Sequence, residues 1–498
     1  MPQCVPPCRP HSASQGNPMA TLSSLSNARW VLLSQAAKVL SQLISVTVLA
    51  RLLPPQAYGL MALAAIATNL ASLFRDLGTS AAVIQAKEIS PGMVSTIHWS
   101  NLGLGLLIGG VIAAVAPLMS RVFQEHGLTQ VLYLLALVFP VTSLSVVHQA
   151  LLERESKFSV VVKVEVTAVL IGLAVALLLA WQGAGVFSLV FQMLVTALLT
   201  TGLIVWRSHF RPARHWSLQE FKAIIGFSGN LSLFNFVLYF SRNADSMVIG
   251  KMLGTTVLGI YSMAYRIMLF PLQNLTYVVA RALYPVLSRQ HDNVTEMARL
   301  YLKTVGFIAF VSTPLMAGLF VLREPFVQVV LGDKWHAAAA ILAWLAPVGL
   351  IQSLVSTTGT VLMAQGRTDL LLRLGVLGAS LQVSAFFVGS YWGIEGVASA
   401  YLVANLLNAV PAFYFSGRLI GVTLTALAQR IAPPLALSLL MVGIVQLAEK
   451  NVAHWLQDVR LEFMLLIALG AAVYGVASLW LLRPQVNHLQ SFLKLQKS

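Results

Sequence analysis

Charged side chains interrupt several apolar stretches that are long enough to cross a lipid bilayer. Six such residues are Lys38, Arg75, Asp76, Arg242, Asp245 and Arg266. An ionised group at that depth costs several kcal/mol unless it faces protein or water. Because four of the six are basic, they predict a hydrated, net-positive cavity inside a helical bundle. Such a cavity suits the transport of an anion.

The composition is that of a protein embedded in a membrane. Of 498 residues, 57% are hydrophobic and only 10% are charged, and the mean hydropathy is +0.79. Soluble domains average about 25% charged residues, so this chain has too few charges to cover a globular surface. The net charge of +15 does not indicate a nucleic-acid partner, because basic residues in a polytopic protein normally reflect the positive-inside rule.

Fourteen apolar segments are each close to the ~20 residues needed to cross the hydrocarbon core. They are predicted at 29–50, 58–81, 94–119, 129–151, 160–181, 185–206, 226–249, 256–280, 303–322, 337–362, 370–391, 396–417, 427–448 and 462–482. Most Lys and Arg residues fall in alternate connecting segments, whereas Asp and Glu divide almost equally between the two sides. The positive-inside rule therefore places both termini in the cytoplasm.

An internal repeat divides the chain. VLARLLPPQAYGLMALA (48–64) aligns with VIGKMLGTTVLGIYSMA (248–264) at a constant offset of 200 residues, so that Arg51 matches Lys251 and Gly59 matches Gly259. Duplicated bundles are characteristic of secondary transporters, whose substrate site lies near the membrane midplane between the repeats. Because the first and seventh spans share an orientation, the repeats are predicted to be parallel.

Polar side chains form stripes at helical spacing on four of the predicted spans. The stripes are Gln35, Lys38, Gln42 and Ser45; Thr68, Ser72, Arg75 and Thr79; Asn235, Tyr239, Arg242 and Ser246; and Ser262, Arg266 and Gln273. Residues three or four apart share a helix face, so the stripes can face one cavity. The two Arg–Asp neighbours could instead be structural ion pairs. Lys38 and Arg266 have no acidic neighbour in the sequence and are the stronger candidates for substrate contact.

The chemistry of these groups favours an anionic ligand such as a diphosphate. Arginine presents a planar fork that matches phosphate oxygens, and lysine acts as a mobile point charge. The sequence contains no G-x-x-x-x-G-K-[ST] motif for ATP hydrolysis. It also lacks an HExxH motif and a recognisable Ser-His-Asp set. We therefore expect neither an enzyme nor a bound cofactor, and His98 and His148, near span ends, are expected at the membrane interface.

Several stretches together resemble the polysaccharide-transporter branch of the MOP exporter superfamily. They are ARLLPPQAYGL, DLGTSAAVIQAKEIS, SRNADSMVIGKMLGTTVLGIYSMAYRIMLFPLQNL, ALYPVLSRQHDN and LGDKW (331–335). The resemblance covers nearly all of the chain from about residue 20 and is to the Wzx-type flippases.

The resemblance implies an all-α polytopic fold with about 14 transmembrane helices: two pseudo-repeated six-helix lobes that form a V, and two C-terminal helices. It implies a flippase that moves an undecaprenyl-diphosphate-linked oligosaccharide from the cytoplasmic to the periplasmic leaflet of the bacterial inner membrane by alternating access. The product would be exported as a cell-surface exopolysaccharide or lipopolysaccharide. The implied partners are that lipid-linked diphosphate, membrane lipids, and a polysaccharide polymerase with its co-polymerase.

The resemblance also bears on individual residues. The family's basic cavity residues lie on the first, second, seventh and eighth spans, which supports substrate contact by Lys38, Arg75, Arg242 and Arg266. Asp76 and Asp245 fall in acidic segments of the family and are candidates for ion pairing or ion coupling.

The predicted domains follow the repeat. They are a disordered N-terminal tail at 1–26, an N-lobe at 27–206, a cytoplasmic basic amphipathic linker at 207–225, a C-lobe at 226–417, and the last two spans with a C-terminal tail at 418–498. Trp216 and Phe221 would anchor the linker at the interface. Cys4 and Cys8 lie in the tail and, without further Cys or His partners, make a poor zinc site.

Three other functions remain open from the sequence. A multidrug or cation antiporter of the same superfamily would favour twelve spans and a net acidic cavity. A polysaccharide polymerase would be a membrane enzyme with a large periplasmic loop, whereas the outer loops here are short. A scaffold without transport would not need Lys38 or Arg266 inside the membrane.

Overall fold

The protein is a bundle of long apolar helices. The computed structural model describes residues 35, 39–75, 83–84, 90–219, 239, 243–290, 293–452 and 458–481, and every regular element among them is a helix. A lipid bilayer offers no water to backbone N–H and C=O groups, so each spanning segment must pair these groups internally. The predicted all-α polytopic fold is confirmed.

Six helices form the first half of the described chain. They are α1 (Val39–Leu52), α2 (Pro55–Arg75), α3 (Pro91–Phe123), α4 (Gly127–Arg154), α5 (Phe158–Trp181) and α6 (Val186–Arg207). The start of α3 is set by its sequence, because the Ser90 hydroxyl accepts a hydrogen bond from the backbone N–H of Met93 at 3.1 Å. Pro91 follows at the first helical position, where its missing N–H is not needed.

Nine further helices of 9 residues or more lie in the described part of the second half. They are α7 (Ala244–Met252), α8 (Thr255–Pro271), α9 (Tyr277–Arg289), α10 (Val294–Val321), α11 (Ala337–Ala364), α12 (Thr368–Ser390), α13 (Gly393–Leu419), α14 (Leu424–Val452) and α15 (Val459–Leu481). Five-residue π-helical segments lie within α1 at Ser45–Leu49, follow α8 at Leu272–Thr276 and follow α10 at Val327–Leu331. Such segments shift the helical periodicity and are frequent at functional sites.

Twelve of these helices are long and apolar enough to cross a membrane, namely α2–α6, α8 and α10–α15. They correspond to twelve of the fourteen predicted spans. The other two, predicted at 29–50 and 226–249, fall largely outside the described residues, which include only α1 from the first and Tyr239 and the start of α7 from the second. The count of fourteen therefore stays a prediction.

The two aligned segments of the repeat meet face to face at one end of the bundle. The equivalent residues Arg51 and Lys251, Pro55 and Thr255, and Gly59 and Gly259 form this contact, which we call the clasp. A Cβ atom on Gly59 would lie 1.8 Å from the carbonyl oxygen of Thr255, and one on Gly259 would lie 1.9 Å from that of Pro55. Only glycine at both positions allows α2 and α8 to approach so closely.

Two basic residues extend the clasp in a reciprocal way. Nη2 of Arg51 donates to the carbonyl oxygen of Val329, in the second half. Nζ of Lys251 donates to the carbonyl oxygen of Val122, in the first half, at 2.6 Å. Each half thus donates a hydrogen bond from a basic side chain to a backbone carbonyl group near a helix end of the other half. The two contacts are related by an approximate two-fold arrangement of the repeats.

Trp335 links the halves beside the clasp. Its side chain is fully buried, and its Nε1 donates to the carbonyl oxygen of Ala50 at 2.8 Å. Its ring packs edge-on against Tyr58, with the ring centroids 5.2 Å apart. Because Trp335 belongs to the LGDKW segment and its two partners to α1 and α2, this contact also joins the two halves.

The chain after α6 runs back along α3. Residues 208–217 have no helical structure. The backbone N–H of Ala213 donates to Oγ of Ser95 at 3.0 Å, and Nε1 of Trp216 donates to Oγ of Ser100 at 3.0 Å. The described part of the predicted linker is therefore extended and fixed to the first half.

Phe210 of this extended segment covers two histidines. The rings of His98 and His148 pack against Phe210 and against each other, and their side chains are 3% and 2% exposed. Instead of facing the membrane interface, as expected, both histidines are buried between α3, α4 and the linker. Phe221 of the predicted linker lies outside the described residues.

Candidate functional site

A large cavity lies beside α8. Its volume is about 990 Å³, and it is bounded by α1, α8, α10, α14 and α15. Gln42 of α1 and Arg266 of α8 line one wall. These two residues belong to two of the polar stripes that the sequence predicted, and the structure brings them to a single cavity.

Arg266 is the one cation among the described residues that line this cavity. It lies deep in the protein, yet its side chain is accessible to solvent because it faces the cavity. The hydroxyl group of Tyr58 lies near enough to interact electrostatically with the guanidinium group. Arg266 therefore lies between the cavity and the clasp. An anion would be attracted to it more strongly there than in bulk water.

The rest of the cavity is a long apolar groove between α10, α14 and α15. Its lining residues include Phe310, Pro314, Leu315, Gly318, Leu319, Leu322, Met441, Val445, Phe463, Leu466, Ile467, Gly470, Ala471 and Gly475. No acidic residue is found in the described lining. The groove can accept a hydrocarbon chain without leaving a polar group unsatisfied. The cavity thus joins a guanidinium group to a surface that matches a lipid tail.

Two polar contacts fix the walls of the groove. The Tyr474 hydroxyl of α15 donates to the carbonyl oxygen of Phe310 at 2.8 Å, and the Ser438 hydroxyl of α14 donates to Oγ1 of Thr313 at 3.0 Å. Hydrogen bonds between transmembrane helices contribute about 0.6–2 kcal/mol each. Both contacts end on α10, so they hold α14 and α15 in place around the groove.

Asp245 lies at the start of α7 and is 6% exposed. Its Oδ1 accepts a hydrogen bond from the backbone N–H of Ser246 at 2.6 Å. The hydroxyl groups of Tyr261 and Tyr401 lie near enough to interact electrostatically with the carboxylate, although Tyr261 makes no hydrogen bond of standard geometry. Arg242, the predicted ion-pair partner, lies outside the described residues, so that pairing stays a prediction.

Amide groups continue this polar cluster into the second half. Nε2 of Gln352 donates to the Tyr401 hydroxyl at 2.7 Å and lies 3.2 Å from Oδ1 of Asn405. The cluster is built by α7, α8, α11 and α13, and its oxygen atoms converge within an otherwise apolar interior. Buried polar groups in a membrane protein are costly and mark ion or proton pathways.

Four other predicted site residues do not have described side chains. Lys38, Asp76 and Arg242 are outside the described residues. Arg75 ends α2, and its side chain is also outside what the structure describes. Substrate contact by these cations, and ion pairing or coupling by Asp76, stay predictions.

The sequence did not predict the groove or the contact between the two repeats at the clasp. The signal for the groove was weak, because α14 and α15 are apolar on every side. Gly318 and Gly475 line the groove, and no atom lies within 4 Å of the position that a Cβ atom would take at either residue. These glycines were the one local indication of a groove in the sequence. The signal for the clasp was present, because the repeat had already aligned Gly59 with Gly259.

A polytopic helical bundle with a cavity that is lined by one cation and is otherwise largely apolar has the architecture of a membrane transporter. The family model described as "Polysaccharide biosynthesis protein" matches residues 48–340, more than half of the chain. The chain therefore belongs to that family. The resemblance to the polysaccharide-transporter branch of the MOP exporter superfamily is confirmed.

Three curated relatives cover most of the chain. It is 26% identical over 394 residues to the lipopolysaccharide biosynthesis protein WzxC of Escherichia coli (strain K12), which covers 78% of this chain and 80% of that protein. It is 26% identical over 466 residues to the teichuronic acid biosynthesis protein TuaB of Bacillus subtilis (strain 168), covering 92% and 95%. It is 26% identical over 477 residues to the succinoglycan biosynthesis transport protein ExoT of Rhizobium meliloti (strain 1021), covering 95% and 96%.

Two solved structures share the fold. The lipid II flippase MurJ in its inward closed conformation has a TM-score of 0.70 at 14% identity, covering 90% of this chain and 98% of that one. A multidrug resistance MATE family transporter of the MOP superfamily, in an inward-facing conformation, has a TM-score of 0.56 at 18% identity, covering 77% and 94%. At these identities the likeness concerns the fold alone, and it agrees with the predicted polytopic architecture.

Proposed function

We propose that the chain is a flippase for a lipid-linked oligosaccharide, acting as a transporter and not as an enzyme. The observation that carries this proposal is the cavity in which Arg266 adjoins a long apolar groove. A polyprenyl-diphosphate sugar has an anionic diphosphate between a hydrocarbon chain and hydrophilic sugars. The guanidinium group matches the diphosphate, and the groove matches the nearest part of the chain. The names of the relatives, which concern lipopolysaccharide, teichuronic acid and succinoglycan, support the same class of substrate.

A multidrug or cation antiporter is the second candidate, because MATE transporters share the fold. A cationic substrate is attracted by a carboxylate in its binding cavity and repelled by a fixed positive charge there. The described lining of this cavity instead contains a cation and no acidic residue. The charge of the cavity therefore favours the flippase.

The proposed mechanism is alternating access between two lobes. The lobes are residues 27–206 and 226–417, with 207–225 linking them and 418–498 following them. The clasp holds them together at one end, and the positive-inside pattern assigns that end to the periplasm. The diphosphate enters from the cytoplasmic leaflet and binds at Arg266, with its tail in the groove. Opening of the clasp then releases it to the periplasmic leaflet, where a polymerase and its co-polymerase take the product.

The assignment is tested in cells that lack the chain. We expect the lipid-linked oligosaccharide to accumulate on the cytoplasmic face of the inner membrane in these cells. When the protein is expressed again, we expect both of its termini on the cytoplasmic face. Expression of the intact chain should clear the accumulated lipid. Normal export in the deleted cells, with no accumulation, would exclude the flippase.

Filling the apolar groove should block transport without unfolding the protein. We expect Gly318→Phe to lower transport at least tenfold, because the new ring occupies the space that the proposal assigns to the lipid tail. A Cβ atom at Gly318 meets no other atom within 4 Å, and replacing a helical glycine removes an entropic penalty of about 0.5–1 kcal/mol. The measurement is movement of a fluorescent polyprenyl-diphosphate oligosaccharide across reconstituted vesicles, together with the unfolding temperature.

Gly443→Phe is the matched control. Gly443 also has open space around its Cβ position and lies on α14, but it does not line the cavity. We expect wild-type transport from this variant. Equal transport by Gly318→Phe and Gly443→Phe would contradict a role for the groove.

Asp245 is the ion-coupling group in this proposal. It is buried beside the hydroxyl groups of Tyr261 and Tyr401, and such a group of oxygen atoms can hold a proton or a monovalent cation. We expect Asp245→Asn, which keeps the shape and removes the charge, to move substrate at a rate that no longer responds to an imposed proton or sodium gradient. Transport into vesicles with and without each gradient measures this. An unchanged gradient response would transfer the coupling role to Asp76 or to another group.

A further inference from the structure

A second cavity lies at the clasp end of the bundle, outside the transport cavity. Its volume is about 730 Å³, within the usual range for ligand sites. Its lining residues are Arg51, Gln328, Val329, Leu331, Gly332, Asp333, Lys334, Asp458, Val459 and Arg460. They come from the end of α1, from the connection between α10 and α11, and from the start of α15.

Three cations face this cavity and are exposed to solvent, namely Arg51, Lys334 and Arg460. Asp458 is engaged at the start of α15, where its Oδ1 accepts from the backbone N–H of Arg460 at 2.9 Å. Within the described part of the chain, no ion pair shorter than 4.0 Å joins a cavity cation to Asp333 or Asp458. In the described part of the chain, the three cations are therefore not paired with either carboxylate of the cavity.

The cations belong to different halves of the molecule. Arg51 is on α1, whereas Lys334 and Arg460 are in the second half. Nζ of Lys334 lies 3.3 Å from the carbonyl oxygen of Arg51, and Nη2 of Arg51 donates to Val329 on the opposite wall. The cavity is thus complete only while the halves are in contact at the clasp.

We propose that this cavity is a binding site for a phosphate group, separate from the transport cavity, and that its occupant holds the clasp closed. Guanidinium and ammonium groups from both halves would converge on the phosphate oxygens. A ligand that binds one conformation better than another shifts the equilibrium toward it by its difference in affinity. The phosphate can belong to a lipid headgroup or to a diphosphate free in solution, since both present the same oxyanion. The proposed effect of the ligand on the clasp rests on the proposed alternating access. The proposed binding of phosphate does not depend on it.

The binding test uses purified full-length chain and sodium pyrophosphate as the probe. All proteins carry Arg266→Gln, so that the transport cavity does not contribute. We expect calorimetric titration to detect saturable binding that weakens at least tenfold in Lys334→Gln/Arg460→Gln. Arg121→Gln removes an exposed cation of α3 that does not line the cavity, and it should bind as before. Equal affinities in the double variant and in the control would overturn the site.

A second arm separates the two sources of phosphate. Pyrophosphate affinity is compared in nanodiscs of phosphatidylglycerol and of phosphatidylcholine. If a lipid headgroup reaches the cavity, phosphatidylglycerol should compete and lower the affinity. If only a soluble phosphate reaches it, the two affinities should be equal. Binding in neither lipid would overturn the proposal.

The effect on the clasp is measured with two spin labels. His126→Cys and His336→Cys place labels at exposed positions on the two halves, in a chain whose Cys4 and Cys8 are serine. We expect pyrophosphate to increase the population with the short distance, and Lys334→Gln/Arg460→Gln to abolish that response. Binding without any change in distance would overturn the effect on the clasp. Because no transport is measured, failure here is distinct from failure of the flippase assignment.

Discussion

Arg266→Ala is expected to lower transport strongly while leaving the protein folded. In the proposed mechanism the guanidinium group binds the diphosphate inside the cavity, whose lining is otherwise largely apolar. Removing one partner of such a charge-assisted contact costs about 2–5 kcal/mol. Since each 1.4 kcal/mol is a factor of ten, we expect transport to fall by about 30-fold or more. Movement of a fluorescent polyprenyl-diphosphate oligosaccharide across reconstituted vesicles measures the effect.

Two further variants show whether charge at this place is what matters. Arg266→Lys keeps the charge but loses the planar fork, so it should retain part of the activity. Arg289→Ala removes an exposed arginine from α9, away from the cavity lining, and should transport normally. Full activity in Arg266→Ala would remove the cationic cavity from the mechanism, although the family membership would stand.

Arg266 could be found from the sequence because its signal is chemical and local. A lone cation in an apolar helix, without an acidic neighbour, must face protein or water. The structure places that side chain at the cavity wall. The same argument could not describe Asp245, whose surroundings come from three other helices. Tyr401 lies near Asp245, and Gln352 contacts Tyr401, only because α11 and α13 pack there. No spacing in the sequence indicates these contacts.

The groove lay beyond sequence reasoning for a different reason. A helix face that touches membrane lipid and one that touches the tail of a bound lipid require the same apolar residues. Phe463, Leu466 and Ile467 of α15 therefore look like any lipid-facing surface in the sequence. Their role appears only when α10 and α14 are placed beside them, with Thr313 and Ser438 holding the helices together. Helices were predictable from hydropathy, whereas the cavity between them depends on tertiary packing.

Gly59→Ala is expected to hold the clasp open. A Cβ atom at this position would lie 1.8 Å from the carbonyl oxygen of Thr255, a backbone atom that cannot rotate away. The halves must separate to accommodate it, because overpacking of a fitted contact costs about 1–3 kcal/mol or more. That cost shifts the equilibrium toward the open clasp by about tenfold or more. Transport should fall correspondingly, since alternating access needs both states.

The same substitution can be tested at Gly259, the residue equivalent to Gly59 in the other repeat. Gly259 meets the carbonyl oxygen of Pro55 as Gly59 meets that of Thr255, so Gly259→Ala should have the same effect. Gly103→Ala adds the same methyl group to α3, where nothing lies within 4 Å of the Cβ position, and should leave transport unchanged. Spin labels at positions 126 and 336 should report a longer distance for the two clasp variants only. A wild-type distance in Gly59→Ala would mean that α2 and α8 can adjust within the closed state, and that the glycine pair does not control the opening of the clasp.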